Sequence, residues 1–248
     1  MCRRARLPSV KRMTTTKNAL ITGASRGLGL ALARGLAADG WSLVIDARDG
    51  DALHAAAASV PARAPVTALP GDITDPAHRA ALLRAAEDFG GADLLINNAG
   101  TLGASPLPAI ADYPVAELRA AFEVNVLAPI ALTQLLLPAL RRRGGAVLNI
   151  TSDAAVEPYA GWGGYGAAKA ALEQASNVLA AEEGVVRVWW VDPGDLRTRM
   201  HQEAYPGEDI TDRPRPETVV PAVVRLITER LPSGRYRAAE LMPSGTRS

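Results

Sequence analysis

One cysteine in 248 residues, Cys2, leaves no disulfide framework and no thiolate cluster for a metal. A reducing, cytoplasmic compartment is the simplest expectation. Histidine is also scarce: His54, His78 and His201 lie far apart, without the close pairing usual in zinc sites, and no metal site is expected. Charge of one sign is missing too. The formal net charge is +1 and both signs are spread along the chain, so there is neither a basic stripe for nucleic acid nor an acidic tail. No uncharged apolar run reaches the roughly 18 residues needed to span a bilayer, so no membrane partner is expected. The first seventeen residues carry Arg3, Arg4, Arg6, Lys11, Arg12 and Lys17 without an acid, yet lack the apolar stretch of a secretory signal. An organelle transit peptide stays open. The preferred reading is a disordered extension over 1–13, or a true start at Met13.

What is present is hydrophobic content of 48%, enough for one α/β domain, placed at 14–242 with a flexible tail at 243–248. Short apolar runs alternate with alanine-rich amphipathic segments, a pattern of βαβ units and a parallel sheet. Strands are expected near 18–22, 41–46, 65–69, 93–96, 145–151, 185–191 and 235–238. The first helix should end at Asp39-Gly40, where glycine permits the left-handed conformation. Another should open at Asp75-Pro76, a capping acceptor followed by the imino acid favoured in the first turn. A longer helix over about 114–142 contains Pro129 and Pro138 and should be irregular. One more, about 162–183, carries Tyr165 and Lys169. Between Asp195 and Pro216 periodicity disappears, the mark of a lid or binding loop.

The strand Asn18-Ala19-Leu20-Ile21-Thr22 runs into Gly23, Ser25, Arg26, Gly27, Leu28 and Gly29 and then into a helix. Glycines let a backbone approach a pyrophosphate, and a helix N-terminus offers unpaired N–H groups with partial positive charge. In this strand-to-helix setting the turn reads as a dinucleotide cradle. Here the chain resembles the short-chain dehydrogenase/reductase family, whose TGxxxGxG motif it matches at every fixed position. The resemblance implies a single-domain, Rossmann-type doubly wound parallel sheet of about seven strands with helices on both faces. It extends to Asp72 before Ile73, the family's adenine-contacting aspartate. It also covers Asn97-Asn98-Ala99-Gly100, which lines the cofactor, and Pro193-Gly194 with Leu196 and Thr198, beside the nicotinamide carboxamide.

NAD-binding relatives carry an acid where this chain has Ala47. Side chains alternate across a strand, so Asp46 should point to the other face and reach the ribose poorly. Arg26 and Arg48 could instead flank a 2'-phosphate. NADP is therefore preferred over NAD, although a one-residue slip of the strand would restore Asp46.

Tyr165 and Lys169, at i and i+4, share one helix face, and Ser152 follows the apolar strand ending at Thr151. A cation one turn away is expected to lower a phenol from about 10 toward neutrality. The resemblance assigns Tyr165 as acid and base, Ser152 as the group orienting the carbonyl, Lys169 as tuner and ribose ligand, and Asn125 as holder of a relay water. The implied activity is hydride transfer between nicotinamide and a carbonyl or secondary alcohol. A non-catalytic nucleotide sensor and a nicotinamide-dependent epimerase or dehydratase are the alternatives. Residues 102–113, 153–162 and 195–215 should wall the substrate pocket. Two departures stand out: Trp189 where many relatives carry asparagine, and Ser233-Gly234-Arg235-Tyr236-Arg237-Ala238 in place of VDGG. Relatives commonly pair their two long helices, which implies a homodimer or homotetramer.

Overall fold

The computed structural model describes residues 17–61 and 63–242. The expectations for 1–13, 243–248 and Cys2 lie outside the described residues. The apolar runs form seven strands: β1 Asn18–Ile21, β2 Ser42–Ala47, β3 Val66–Pro70, β4 Leu94–Asn97, β5 Ala146–Ile150, β6 Arg187–Asp192 and β7 Gly234–Arg237. All pair in parallel in the order β3-β2-β1-β4-β5-β6-β7. The order reverses between β1 and β4, and a doubly wound sheet binds ligands outside the strand ends at that point.

Alternation along each strand divides the core. Ala19, Ile21, Leu43 and Ile45 meet helices α1 (Gly27–Ala38) and α2 (Gly50–Ala58) on one face, where α8 (Val220–Glu229) also packs. Leu20, Val44, Leu95 and Val147 meet α3 (Pro76–Asp88) and α5 (Ala128–Arg143) on the other. Strands buried on both faces read as continuous apolar runs, which is why β1, β2, β4 and β5 were visible. Each fully buried leucine contributes about 1.5–3 kcal/mol. Trp189 is 1% exposed within the first layer and its Nε1 donates to Leu231 O at 3.0 Å, so it fills core volume rather than meeting substrate.

Caps fall as the sequence suggests. Gly40, at φ 82°, follows α1, and Asp75 caps α3 by accepting from Ala77 N at 2.9 Å. The long irregular helix is three pieces: α4 (Val115–Phe122), a π turn at Glu123–Leu127, and α5. Its irregularity sits in the turn ahead of Pro129, where the missing N–H and the ring of a proline inside a continuous helix disturb the hydrogen bonding. By length and hydropathy the continuous helix Val115–Arg143 could cross a membrane, unlike what the count of uncharged residues suggested. Its Ala128, Leu132, Leu136 and Leu140 are instead wholly buried against the sheet. The remaining helices are α6 (Gly163–Glu182), α7 (Arg199–Ala204) and α9 (Ala238–Leu241). The aperiodic stretch after Asp195 thus contains a short helix, too brief to show a period, opened by Thr198, which accepts from His201 N at 3.2 Å.

Candidate active site

The glycine turn joins β1 to α1 at the switch point. Gly23 and Gly27 take φ of 66° and 56°, where side chains are strained. A Cβ on Gly29 would lie 2.5 Å from both Asn98 Nδ2 and Gly23 O. No side chain caps α1, so its first N–H groups face the cleft without a partner of that kind. A cradle that excludes side chains and presents uncapped donors fits a pyrophosphate. Asn98 fastens its far wall: Nδ2 donates to Thr22 O at 2.8 Å and Gly23 O at 3.1 Å, while Thr22 Oγ1 accepts from Asn98 N and Ala99 N, each at 3.0 Å.

Asp46 lines the cleft but its carboxylate is engaged beneath this turn. It is 1% exposed; Oδ1 accepts from Gly23 N at 2.8 Å, and Oδ2 sits 3.1 Å from His78 Nε2. The one-residue slip does not occur, and the carboxylate is committed to the turn. His78, an isolated histidine that the sequence suggests lies at the surface, is instead buried, 8% exposed. The signal was Gly71, where a Cβ would come within 2.2 Å of the imidazole Nδ1. Arg26 stands exposed at the mouth, 3.2 Å from Asp49 Oδ2, and Arg48 is exposed beside it. Asp72 Oδ1 accepts from both the N–H and the hydroxyl of Thr74 at 2.8 Å. The Thr74 N–H is the main reason its carboxyl lies below the usual range.

Ser152 follows β5 and caps the 3-10 turn Asp153–Ala155, with Ala154 N donating to Oγ at 3.2 Å. Its hydroxyl donates to Asp153 Oδ1 at 2.9 Å, and Tyr159 OH donates to Oδ2 at 3.1 Å. Tyr165 and Lys169 project from α6, with Nζ 5.5 Å from the phenol ring centroid. Lys169 is 3% exposed and donates to Ile150 O at 2.8 Å. The expected lowering of the tyrosine is corrected here. Burial pushes the Tyr165 phenol up, Asp153 and Asp192 push it further, and only Ser152 pulls it down. The ammonium loses its leverage because burial drives it toward neutrality, to about 8. Asn125, wholly buried in the π turn, accepts from Thr101 N at 3.1 Å and donates to Thr101 O at 2.8 Å. Both ends of its amide therefore hold the segment after β4.

These residues converge on a cleft of about 870 Å³. Gly23, Ser25, Arg26, Leu28, Arg48, Asp72, Ile73, Asn98, Ala99, Gly100, Ser152, Tyr165, Lys169, Pro193, Gly194, Leu196 and Thr198 all line it, whereas Gly27, Gly29 and Asn125 do not. The cradle and the Tyr165 side are in contact: a Cβ on Gly27 would lie 3.6 Å from Thr198 Cγ2, and one on Gly100 would lie 2.9 Å from Asn125 Oδ1 and 3.8 Å from Lys169 Nζ. Gly194, at φ 74°, is held by Asp192 Oδ1 at 3.0 Å. Of the expected pocket wall, Leu102 and Gly103, Asp153 and Trp162, and Asp195, Arg199, Met200, His201 and Glu203 also reach the cleft.

The family model described as short chain dehydrogenase matches residues 17–209. A 1-deoxy-11-beta-hydroxypentalenate dehydrogenase from Streptomyces exfoliatus is 38% identical, over 75% of this chain and 70% of that protein. An alcohol dehydrogenase from the archaeon Thermococcus sibiricus, solved with 5-hydroxy-NADP, superposes with a TM-score of 0.81 at 28% identity, covering 90% of this chain and 95% of that one. A 7 alpha-hydroxysteroid dehydrogenase, solved with NADH and 7-oxo glycochenodeoxycholic acid, superposes at 0.79 with 29% identity, covering 88% and 91%. With the glycine turn, the parallel sheet and the serine–tyrosine–lysine cleft joined in one chain, and with this match along its length, the protein belongs to the short-chain dehydrogenase/reductase family.

Proposed function

We propose that the chain is an NADP(H)-dependent oxidoreductase acting on a carbonyl or secondary alcohol, with Tyr165 exchanging the proton on the substrate oxygen. The observation that carries this is the one cleft lined by both the glycine cradle and the Ser152–Tyr165–Lys169 group. Bound there, the nicotinamide would supply hydride and, once oxidised, a positive charge beside the phenol. Tyr165, kept protonated by its surroundings, is suited to give its proton to an oxygen gaining negative charge. Ser152, whose hydroxyl donates to Asp153, would turn to hydrogen-bond the same oxygen. Lys169, near 8, can return a proton to the tyrosine and reach the ribose hydroxyls. Asn125 keeps the floor beneath Lys169 in place through Thr101, and the relay water is assigned to its neighbourhood.

The preference for NADP rests on Asp46 being engaged below Gly23 and on Arg26 and Arg48 standing at the mouth. Arg48→Ala should raise the KM for NADPH about ten- to a hundredfold, the worth of a charge-assisted hydrogen bond, and leave the KM for NADH unchanged. Equal effects on both coenzymes would remove the 2'-phosphate assignment. Nicotinamide absorbance, followed over a panel of ketones, aldehydes and alcohols with NADPH and NADH in parallel, tests the reading as a whole. No turnover with either coenzyme across the panel would count against it.

The charge of Asp153 opposes the phenolate. Asp153→Asn removes that opposition, so the pH above which carbonyl reduction declines should move down. An unchanged or raised limit in a pH–rate profile would show that Tyr165 does not set it. A homodimer is part of the proposal: an apolar groove of about 690 Å³ between α5 and α6, walled by Ile130, Leu137, Val178 and Leu179, suits the same helices of a second copy.

A further inference from the structure

The last strand of the sheet carries an arginine where the family ending is lost, and that side chain contacts three parts of the structure. Arg235, on β7 in register with Trp190, is 23% exposed and does not line the cleft. Its Nε donates to Glu173 Oε1 at 3.0 Å and Oε2 at 3.3 Å, and its Nη2 donates to Ser152 O at 3.2 Å. The same Nη2 lies 3.6 Å from Asp192 Oδ2. Each partner belongs to a different part of the site. Glu173 is on α6, one turn beyond Lys169, and accepts from Thr151 Oγ1 at 2.7 Å. Asp192 holds Gly194 N. Ser152 is the expected carbonyl-orienting residue.

We propose that Arg235 is a positioning residue for the reaction: one guanidinium ties the Ser152 backbone, the Asp192–Gly194 turn and α6 into a single frame. This rests on the reading that Tyr165 and Ser152 carry the chemistry. Largely buried ion pairs add little net stability against apolar replacements, so geometry is the better account of this cluster. A planar fork can hold a carboxylate and a carbonyl in fixed directions, which a lysine point charge cannot. The charge matters as well. Tyr165 is faced by Asp153 from the turn after β5, by Asp192 from β6 and by Lys169 from α6, while Glu173 lies one turn further along α6. Arg235 offsets Asp192, whose charge opposes the phenolate.

The test compares wild type, Arg235→Gln, Arg235→Lys and Tyr165→Phe in NADPH-dependent reduction of 9,10-phenanthrenequinone over a pH series. Arg235→Gln should lower kcat about ten- to a hundredfold, the penalty of a small misplacement of reacting groups, with the KM for NADPH little changed. Its pH limit for reduction should move up, because Asp192 is no longer offset. Arg235→Lys should restore the wild-type pH limit but only part of kcat. A role in folding alone would lower the melting temperature without moving the pH limit, and that result overturns the proposal, as does wild-type kcat in Arg235→Gln. Should the glutamine variant not fold, the lysine variant decides: reduced kcat at the wild-type pH limit supports the frame, and full kcat removes it. Tyr165→Phe keeps the two readings apart. An active phenylalanine variant sinks the functional reading and this inference with it. An inactive phenylalanine variant beside an unaffected Arg235→Gln sinks this inference alone.

Discussion

Tyr165→Phe is expected to lower carbonyl reduction by about 10²–10⁴-fold, the usual worth of a positioned general acid, while NADPH still binds. The ring is packed edge-on against Trp162, centroids 5.6 Å apart, and is 8% exposed. Phenylalanine preserves that packing and removes only the hydroxyl, so the fold and the cofactor cleft should stay as they are. Steady-state rates and a fluorescence titration of NADPH separate the two effects. A nucleotide sensor would keep its biological output in this variant. Full turnover would show that the proton comes from elsewhere, and loss of NADPH binding would show that the hydroxyl is structural.

Gly29→Val is expected to abolish dinucleotide binding and to destabilise the domain. The new Cβ alone would sit 2.5 Å from Asn98 Nδ2 and Gly23 O and 3.0 Å from Ala24 Cα. Two of these are backbone atoms of the cradle itself, so relief can come only by opening the turn. Overpacking of this kind costs about 1–3 kcal/mol, and an opened turn no longer aims its N–H groups at a pyrophosphate. Gly184→Ala is the control, because nothing lies within 4 Å of its Cβ position. Melting curves and coenzyme titrations of the two variants should diverge. A Gly29→Val protein that binds NADPH like the wild type would remove the turn from the cofactor site.

The parts legible in sequence were those set by local rules. Buried parallel strands announce themselves as apolar runs, and Asp75-Pro76 and Asp39-Gly40 mark helix ends through capping chemistry that acts within a few residues. The glycine turn, Asn98 and Pro193-Gly194 follow strand ends, so the sheet order alone brings them to one edge. What escaped depends on distant partners. The π turn forms where Asn125 bonds Thr101, 24 residues away. Asp46 was read for its direction, but its engagement needs His78 from α3, 32 residues on. The rise of the Tyr165 phenol follows from burial and from Asp192 on another strand, against which an i,i+4 lysine that is itself buried has little effect. Arg235 stood out only as a departure from the family's ending. Its contacts with Ser152 and Glu173 span 83 and 62 residues, and no spacing rule reaches that far.

The most direct measurement is a crystal structure of the protein soaked or grown with NADP. The pyrophosphate is expected on the turn at Gly23–Gly29 and the 2'-phosphate between Arg26 and Arg48. The nicotinamide C4 should face a carbonyl-sized space beside the Tyr165 hydroxyl, at the roughly 3–3.5 Å separations that reacting atoms need. A nucleotide seated elsewhere, or a nicotinamide ring turned away from Tyr165, would contradict the assignment.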